Sequence, residues 1–106
     1  MFKKDLLQDK RILITGGGTG LGKEMANHFA EHGAELYICG RRDNVLQETA
    51  DEIIDKYKSK VHTQVLDIRA SKDVDDYVQS IFDDKPLDGL VNNAAVSYTH
   101  LRAHET

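Results

Sequence analysis

The sequence predicts an α/β fold, a doubly wound parallel sheet in which four strands alternate with three helices in the spatial order 3-2-1-4. Three observations carry this reading. Short apolar runs at Ile12–Ile14 and Leu36–Cys39 have the character of strands covered on both faces. Stretches with apolar residues at helical spacing lie between the strands. Five glycines, Gly16, Gly17, Gly18, Gly20 and Gly22, follow the first strand and open the first helix.

A chain of 106 residues, 40% of them hydrophobic, is the size of one small domain with a modest core. Lys and Arg number 14 against 18 for Asp and Glu, and the net charge of -4 gives no support to a nucleic-acid partner. One cysteine excludes an internal disulfide framework and suits a reducing compartment. With no long apolar run and no signal-peptide core at the start, the expected location is cytoplasmic, with no membrane partner.

The first strand is Ile12–Leu13–Ile14, and the stretch from Arg11 to Gly22 reads Arg-Ile-Leu-Ile-Thr-Gly-Gly-Gly-Thr-Gly-Leu-Gly. Such a loop lets backbone approach a phosphate, and the helix starting within it aims unpaired N–H groups and its positive dipole end at the anion. The strict Gly-x-Gly-x-x-Gly spacing fails in every register, because the third glycine falls on Leu21 or Lys23. A P-loop is nearly matched by Gly17, Gly22 and Lys23, but Glu24 stands where a hydroxyl must bind magnesium. The pattern that fits is Thr-Gly-x-x-x-Gly-x-Gly, on Thr15, Gly16, Gly20 and Gly22.

The first helix carries Leu21, Met25 and Phe29 with Ala26 and Ala30 as its buried stripe, and Gly33 is its left-handed cap after His32. Cys39 in the second strand is expected to pack rather than react. At the end of that strand, about twenty residues past the glycines, an acid would bind the ribose 2′-hydroxyl of NAD and an arginine the 2′-phosphate of NADP. Here the residues are Gly40-Arg41-Arg42, so NADP is the expected cofactor: Gly40 leaves room and Arg41 offers a forked grip.

Asp43 or Asn44 can cap a second helix running to about Tyr57, with Leu46, Ala50, Ile53, Ile54 and Tyr57 inward. After a turn at Lys58-Ser59-Lys60, Val61, Thr63 and Val65 alternate with His62, Gln64 and Leu66, as in a strand exposed on one side or at an edge. His62 is expected at the surface. Asp67-Ile68-Arg69 closes this strand at the glycine-loop end of the sheet, where Asp67 can accept from an adenine amino group and the Ile68 backbone can meet the ring. Asp67 can instead cap the third helix, though Ser71 is better placed. That helix has the stripe Val74, Tyr77, Val78, Ile81 and Phe82, while Asp73, Asp75 and Asp76 read as solvated first-turn acids and not a metal site. Leu87 to Val91 is the fourth strand and runs into Asn92-Asn93-Ala94-Ala95.

The Thr15–Gly22 pattern and Asn92-Asn93-Ala94-Ala95, which differs from the usual Asn-Asn-Ala-Gly only in its last residue, resemble the short-chain dehydrogenase/reductase family. The resemblance covers nearly all of residues 1–95 and implies a Rossmann-type doubly wound parallel sheet, N-terminal half only. Within the family, residues 16–22, Arg41, Val61-His62, Asp67-Ile68-Arg69 and Asn92 through Ala95 look most like 2,4-dienoyl-CoA reductases, which deliver hydride from NADPH to a conjugated thioester. It implies that Gly16, Gly17, Gly18, Thr19, Gly20 and Leu21 hold the pyrophosphate, Arg41 with neighbouring Arg42 the 2′-phosphate, and Asp67 with Ile68 the adenine. Asn93 and Ala94 would lie along the cofactor, and Arg69 would approach the CoA end of the substrate. The parent enzyme would be a homo-tetramer acting on an acyl-CoA.

Family catalysis uses a Tyr-x-x-x-Lys helix, and the lookalike at Tyr98 to Arg102 has Arg in place of Lys and follows the fourth strand too soon. No catalytic residue is therefore assigned, and the chain itself is expected to be inactive. Val96 to Thr106 does not resemble the continuation of any reductase; its eleven residues match a translated transposase adapter of the kind used in sequencing libraries. The expected organisation is a truncated NADP-binding domain at 1–95 and an artefactual tail at 96–106, leaving the fourth strand with an unpaired edge. The alternatives are a non-catalytic nucleotide-binding module and a chimeric reading frame without a function of its own.

Overall fold

In the computed structural model residues 5–93 are described; Ala94, Ala95 and the 96–106 segment lie outside the described residues. The strands are β1 (Arg11–Thr15), β2 (Glu35–Gly40), β3 (Val61–Val65) and β4 (Gly89–Asn92), and the helices are α1 (Gly20–Glu31), α2 (Asp43–Tyr57) and α3 (Ser71–Asp84). The sheet is parallel throughout, in the expected order β3-β2-β1-β4.

Pleating sends alternate side chains of the two central strands to opposite faces, and this divides the core in two. Ile12, Ile14, Leu36 and Ile38 face α1 and α2, where Ala26, Ala30, Leu46, Ala50 and Ile53 meet them. Leu13, Tyr37 and Cys39 face α3 and pack with Ile81. Each large aliphatic side chain sealed here contributes roughly 1.5–3 kcal/mol relative to exposure.

The helical stripes turn slightly from those the sequence suggests. On α1 the sealed residues are Gly22, Ala26 and Ala30, whereas Leu21 is 57% exposed. Small residues at this spacing bring the helix axis close to the sheet, which rotates the larger Met25 and Phe29 to the rim of the core. On α2 Thr49 takes an inward place, and Ile54 is 40% exposed. On α3 Val74 and Ile81 are buried but Phe82 is 48% exposed, because a single helix on that face covers only part of the sheet.

The expected caps also shift. Arg42 occupies the N-cap of α2 and Ala70 that of α3, neither with a side-chain capping bond, so Asp43 and Ser71 are first-turn residues. Asp43 there still complements the helix dipole. Gly33, at φ +98°, follows the His32 cap of α1 as predicted. Pairing of β4 starts at Gly89, two residues later than expected; just before it the Asp88 carboxylate accepts from the Arg11 N–H at 2.9 Å and the Asp88 N–H donates to the Arg11 carbonyl at 2.8 Å.

At the amino ends of the strands, the buried Arg11 guanidinium donates to the Tyr37 hydroxyl, to the Pro86 carbonyl at 3.3 Å and to Asp84 at 3.2 Å. Next to it His62 pairs with Glu35 at 2.7 Å and stacks on the Tyr37 ring at 4.5 Å. Burial pushes the Glu35 carboxyl up, but the hydrogen bond and charge of His62, with the Arg11 charge, outweigh it and hold the group below its ordinary range. His62 is thus half exposed on the edge strand, as the alternation implied.

No helix among the described residues is long and apolar enough to cross a membrane. Leu13→Ala is expected to lower the unfolding free energy in urea by about 2–5 kcal/mol. Leu90→Ala, at a side chain 51% exposed, should change it by no more than about 0.5 kcal/mol. Equal losses would show that Leu90 is covered in solution.

Candidate functional site

The turns leaving the carboxyl ends of β1, β2 and β3 converge on one cleft of about 400 Å³. Gly16, Gly18 and Thr19 line it from the first turn, Gly40, Arg41 and Arg42 from the second, and Ile68 from the third, with Cys39, Val45 and Leu46. This is the end of an open parallel sheet at which ligands bind, beside the point where the strand order reverses between β1 and β4.

The glycine loop is shaped by contacts that only backbone can make. Gly16 sits at φ +69°, and its N–H is already used by the Cys39 carbonyl at 2.8 Å, which continues the β1–β2 ladder one residue past the strand. A Cβ on Gly22 would lie 2.1 Å from the Gly16 carbonyl oxygen, so α1 crosses directly over the strand end. The first helical bond runs from Lys23 N–H to the Thr19 carbonyl at 3.2 Å, so the N–H groups of Gly20, Leu21 and Gly22 precede it. Thr19 is the N-cap, yet its hydroxyl makes no capping bond. A helix start with its donors uncapped, behind a loop of bare backbone, suits an anion.

Arg41 and Arg42 are exposed, and neither guanidinium forms a hydrogen bond or ion pair with another described residue, although the Arg42 carbonyl accepts from the Leu46 N–H at 3.1 Å. A Cβ on Gly40 would meet only Leu46 Cδ2, at 3.7 Å, an ordinary contact. The protein therefore does not itself require glycine at 40; the open space is on the cleft. An anionic group beside Gly40 fits this corner, and the two guanidinium groups supply its counter-charge.

Asp67 stands beside the cleft, held by Arg69: the Arg69 N–H donates to it at 2.9 Å and the guanidinium at 3.1 and 3.2 Å. These hydrogen bonds, helped by the Arg69 and Arg41 charges, keep its carboxyl below the usual aspartate range. Arg69 thus turns back onto Asp67. At the fourth strand, Thr15 donates to Asn92 at 2.9 Å across neighbouring strand ends, and Asn93 Nδ2 lies 3.2 Å from where a Gly16 Cβ would be. Leu21 and Gly20 belong to the first turn of α1 and not to the cleft wall. Ala94 falls outside the described residues. Burial pushes the Cys39 thiol up to about 12, and the residue is inert packing as expected. Among the described residues no cluster could hold a metal ion.

Sequence reasoning missed Val45, Leu46 and Thr49. Thr49 is buried, and its hydroxyl donates to the Gly18 carbonyl at 2.9 Å. The one signal was a threonine in an apolar stripe, three residues after Leu46 and four before Ile53.

The family model for short chain dehydrogenases matches residues 10–106. Sulfoacetaldehyde reductase 2 of Chromohalobacter salexigens is 40% identical over 81% of this chain and 34% of its own length. The peroxisomal 2,4-dienoyl-CoA reductase of Arabidopsis thaliana is 35% identical over 92% of this chain and 33% of its own. A short chain dehydrogenase from Escherichia coli CFT073, solved in complex with NADPH, superposes with a TM-score of 0.77 at 34% identity, covering 86% of this chain and 39% of that one. The chain spans about a third of the length of the curated relatives it matches.

Gly22→Ala should destabilise the fold by about 1–3 kcal/mol or more in thermal or urea unfolding, since rigid backbone opposes the added methyl. Gly20→Ala, where nothing lies within 4 Å but φ is +54°, should cost only about 1–2 kcal/mol. Followed by NMR, the Asp67 carboxyl should titrate below the ordinary aspartate range, and Arg69→Ala should raise its midpoint. Because the folded value is the depressed one, the Asp67–Arg69 contact is complete above the ordinary value and is lost as pH falls through the lowered one.

Proposed function

The chain belongs to the short-chain dehydrogenase family, and we propose that its residues 1–95 are the NADPH-holding part of an oxidoreductase of that family. The observation that carries the proposal is that the glycine loop and the Arg41–Arg42 corner line one cleft. In this reading the pyrophosphate rests on the loop and the start of α1, where bare N–H groups and the helix dipole meet it. Arg41, with Arg42 beside it, takes the 2′-phosphate. A carboxylate at position 40 would repel that group, and Gly40 gives it space.

Asp67 accepts from the adenine amino group in this account, and Ile68 lies against the ring. Asn93 and Ala94 continue along the cofactor toward the reacting end. NADPH, when bound, supplies the hydride. The part of the protein described here binds and orients; no residue among its 106 completes a Tyr-x-x-x-Lys pattern. A second reading of the chain by itself is a nucleotide-binding module without catalysis.

For the parent enzyme we propose hydride transfer to an unsaturated acyl-CoA, in a cytoplasmic homo-tetramer. The support is the resemblance of residues 16–22, Arg41, Asp67–Arg69 and Asn92 onward to 2,4-dienoyl-CoA reductases, and the Arabidopsis enzyme among the relatives. Arg69 is assigned to the CoA end through that resemblance, while its grip on Asp67 favours a part in holding the adenine acceptor. We also propose that Val96 to Thr106 is adapter-encoded. A long read of the source locus through the Ala95 codon tests both ideas: a frame that continues to Tyr-x-x-x-Lys supports them, and a genome that encodes 96–106 and stops overturns them.

Titrating the chain with NADPH and NADH tests the cofactor. NADPH should bind more tightly, and Arg41→Ala should weaken NADPH by about ten- to a hundredfold while leaving NADH nearly unchanged. Equal affinities for the two nucleotides would overturn the assignment to NADPH.

A further inference from the structure

Thr49 has no assigned role, yet it occupies a demanding position. It is 2% exposed, on the inward stripe of α2 between Leu46 and Ile53. Valine would fill the same volume without a polar atom, and a buried hydroxyl is costly unless bonded. Its partner is the Gly18 carbonyl at 2.9 Å, in the middle of the glycine loop and 31 residues away in sequence.

A trans peptide unit is planar, so its N–H points opposite to its C=O. With the Gly18 oxygen drawn inward to Thr49, the N–H of Thr19 is turned outward from the core, and Thr19 lies on the cleft wall. The neighbouring turn of α2 supports the same loop residue: a Cβ at Gly18 would lie 3.0 Å from Val45 Cγ1 and 3.5 Å from Leu46 Cδ2. That turn follows directly on Arg41 and Arg42, the latter being the α2 N-cap. One helix thus carries the arginine corner at its start and grips the glycine loop one to two turns further on.

We propose that Thr49 is a positioning residue for the dinucleotide: it locks the Gly18–Thr19 peptide so that the Thr19 N–H of the pyrophosphate loop is presented to the cleft. The inference rests on the cofactor reading above and adds a residue that touches no part of the nucleotide. The pyrophosphate is common to both nucleotides, so loss of the Thr49 hydroxyl must weaken both equally. Loss of Arg41 must weaken only one.

The test compares Thr49→Val, Thr49→Ser and Arg41→Ala in the full chain, by titration with NADPH and with NADH. Thr49→Val should weaken both by about tenfold, since it leaves the Gly18 carbonyl buried without its donor. Thr49→Ser should stay within about twofold of the parent chain, because the hydroxyl is kept. Unchanged affinity in Thr49→Val, a loss confined to NADPH, or a Ser variant as weak as the Val variant overturns the proposal. Should Thr49→Val fail to fold, the Ser variant decides alone: parent-like affinity supports the hydroxyl, and a tenfold loss assigns the effect to the missing methyl. The carbonyl-carbon NMR resonance of Gly18 reads the bond without any ligand; it should move in Thr49→Val and not in Thr49→Ser. A parent chain that binds neither nucleotide overturns the cofactor reading, and the Gly18 resonance then still reports whether the anchor exists.

Discussion

The structure depends on how closely α1 passes over the end of β1. The backbone of Gly22 lies so near the Gly16 carbonyl that a single added carbon would stand 2.1 Å from the oxygen. This contact sets the direction of the helix, and with it the direction of the N–H groups at its start. It also explains why Ala26 and Ala30 follow Gly22 on the sealed stripe: a helix that close to a sheet admits only small side chains between them. The larger Met25 and Phe29 are displaced to the flanks, where they close the core edge. Loop shape, helix placement and core packing are thus consequences of one approach.

The two faces of the sheet are unequal. Two helices cover the side of Ile12, Ile14, Leu36 and Ile38, and one covers the side of Leu13, Tyr37 and Cys39. Phe82 on α3 and Leu90 on the edge strand β4 remain about half exposed. The opposite ends of the sheet are also unlike each other. At the amino end, Arg11, Tyr37, Asp84, Glu35 and His62 satisfy one another. At the carboxyl end, the Arg41 and Arg42 guanidinium groups make no hydrogen bond or ion pair among the described residues and the start of α1 is uncapped by a side chain, which is where a charged ligand can gain from meeting them.

Much of this was legible in the chain. The apolar runs, the five glycines and the Gly40-Arg41-Arg42 corner place the strands, the order of the sheet and the converging turns, because they depend on local periodicity and on bond geometry that only glycine permits. What was misplaced lay at the margins of elements. Leu21, Ile54 and Phe82 were assigned to buried stripes by their spacing, yet each sits at a stripe edge, where a small rotation of the helix moves a side chain from core to solvent. Asp43 or Asn44, and Ser71, were expected as caps because their side chains suit the role, but the backbone bonding starts each helix earlier and makes Arg42 and Ala70 the caps.

The sequence by itself determined the α/β architecture, the order of the strands, the family pattern of the loop and the identity of the charges beside it. These follow from residue types and spacings that act within a few residues of one another. Only the tertiary structure decided how separate segments meet: that Thr49 of α2 grips Gly18, that Arg69 turns back onto Asp67, that Asp88 bonds to Arg11 of β1, and that Asn93 reaches Gly16. Each of these joins groups whose distance is fixed by packing of the sheet and helices rather than by their place along the chain. A hydroxyl or a carboxylate has many possible partners until the fold brings one of them within hydrogen-bonding reach.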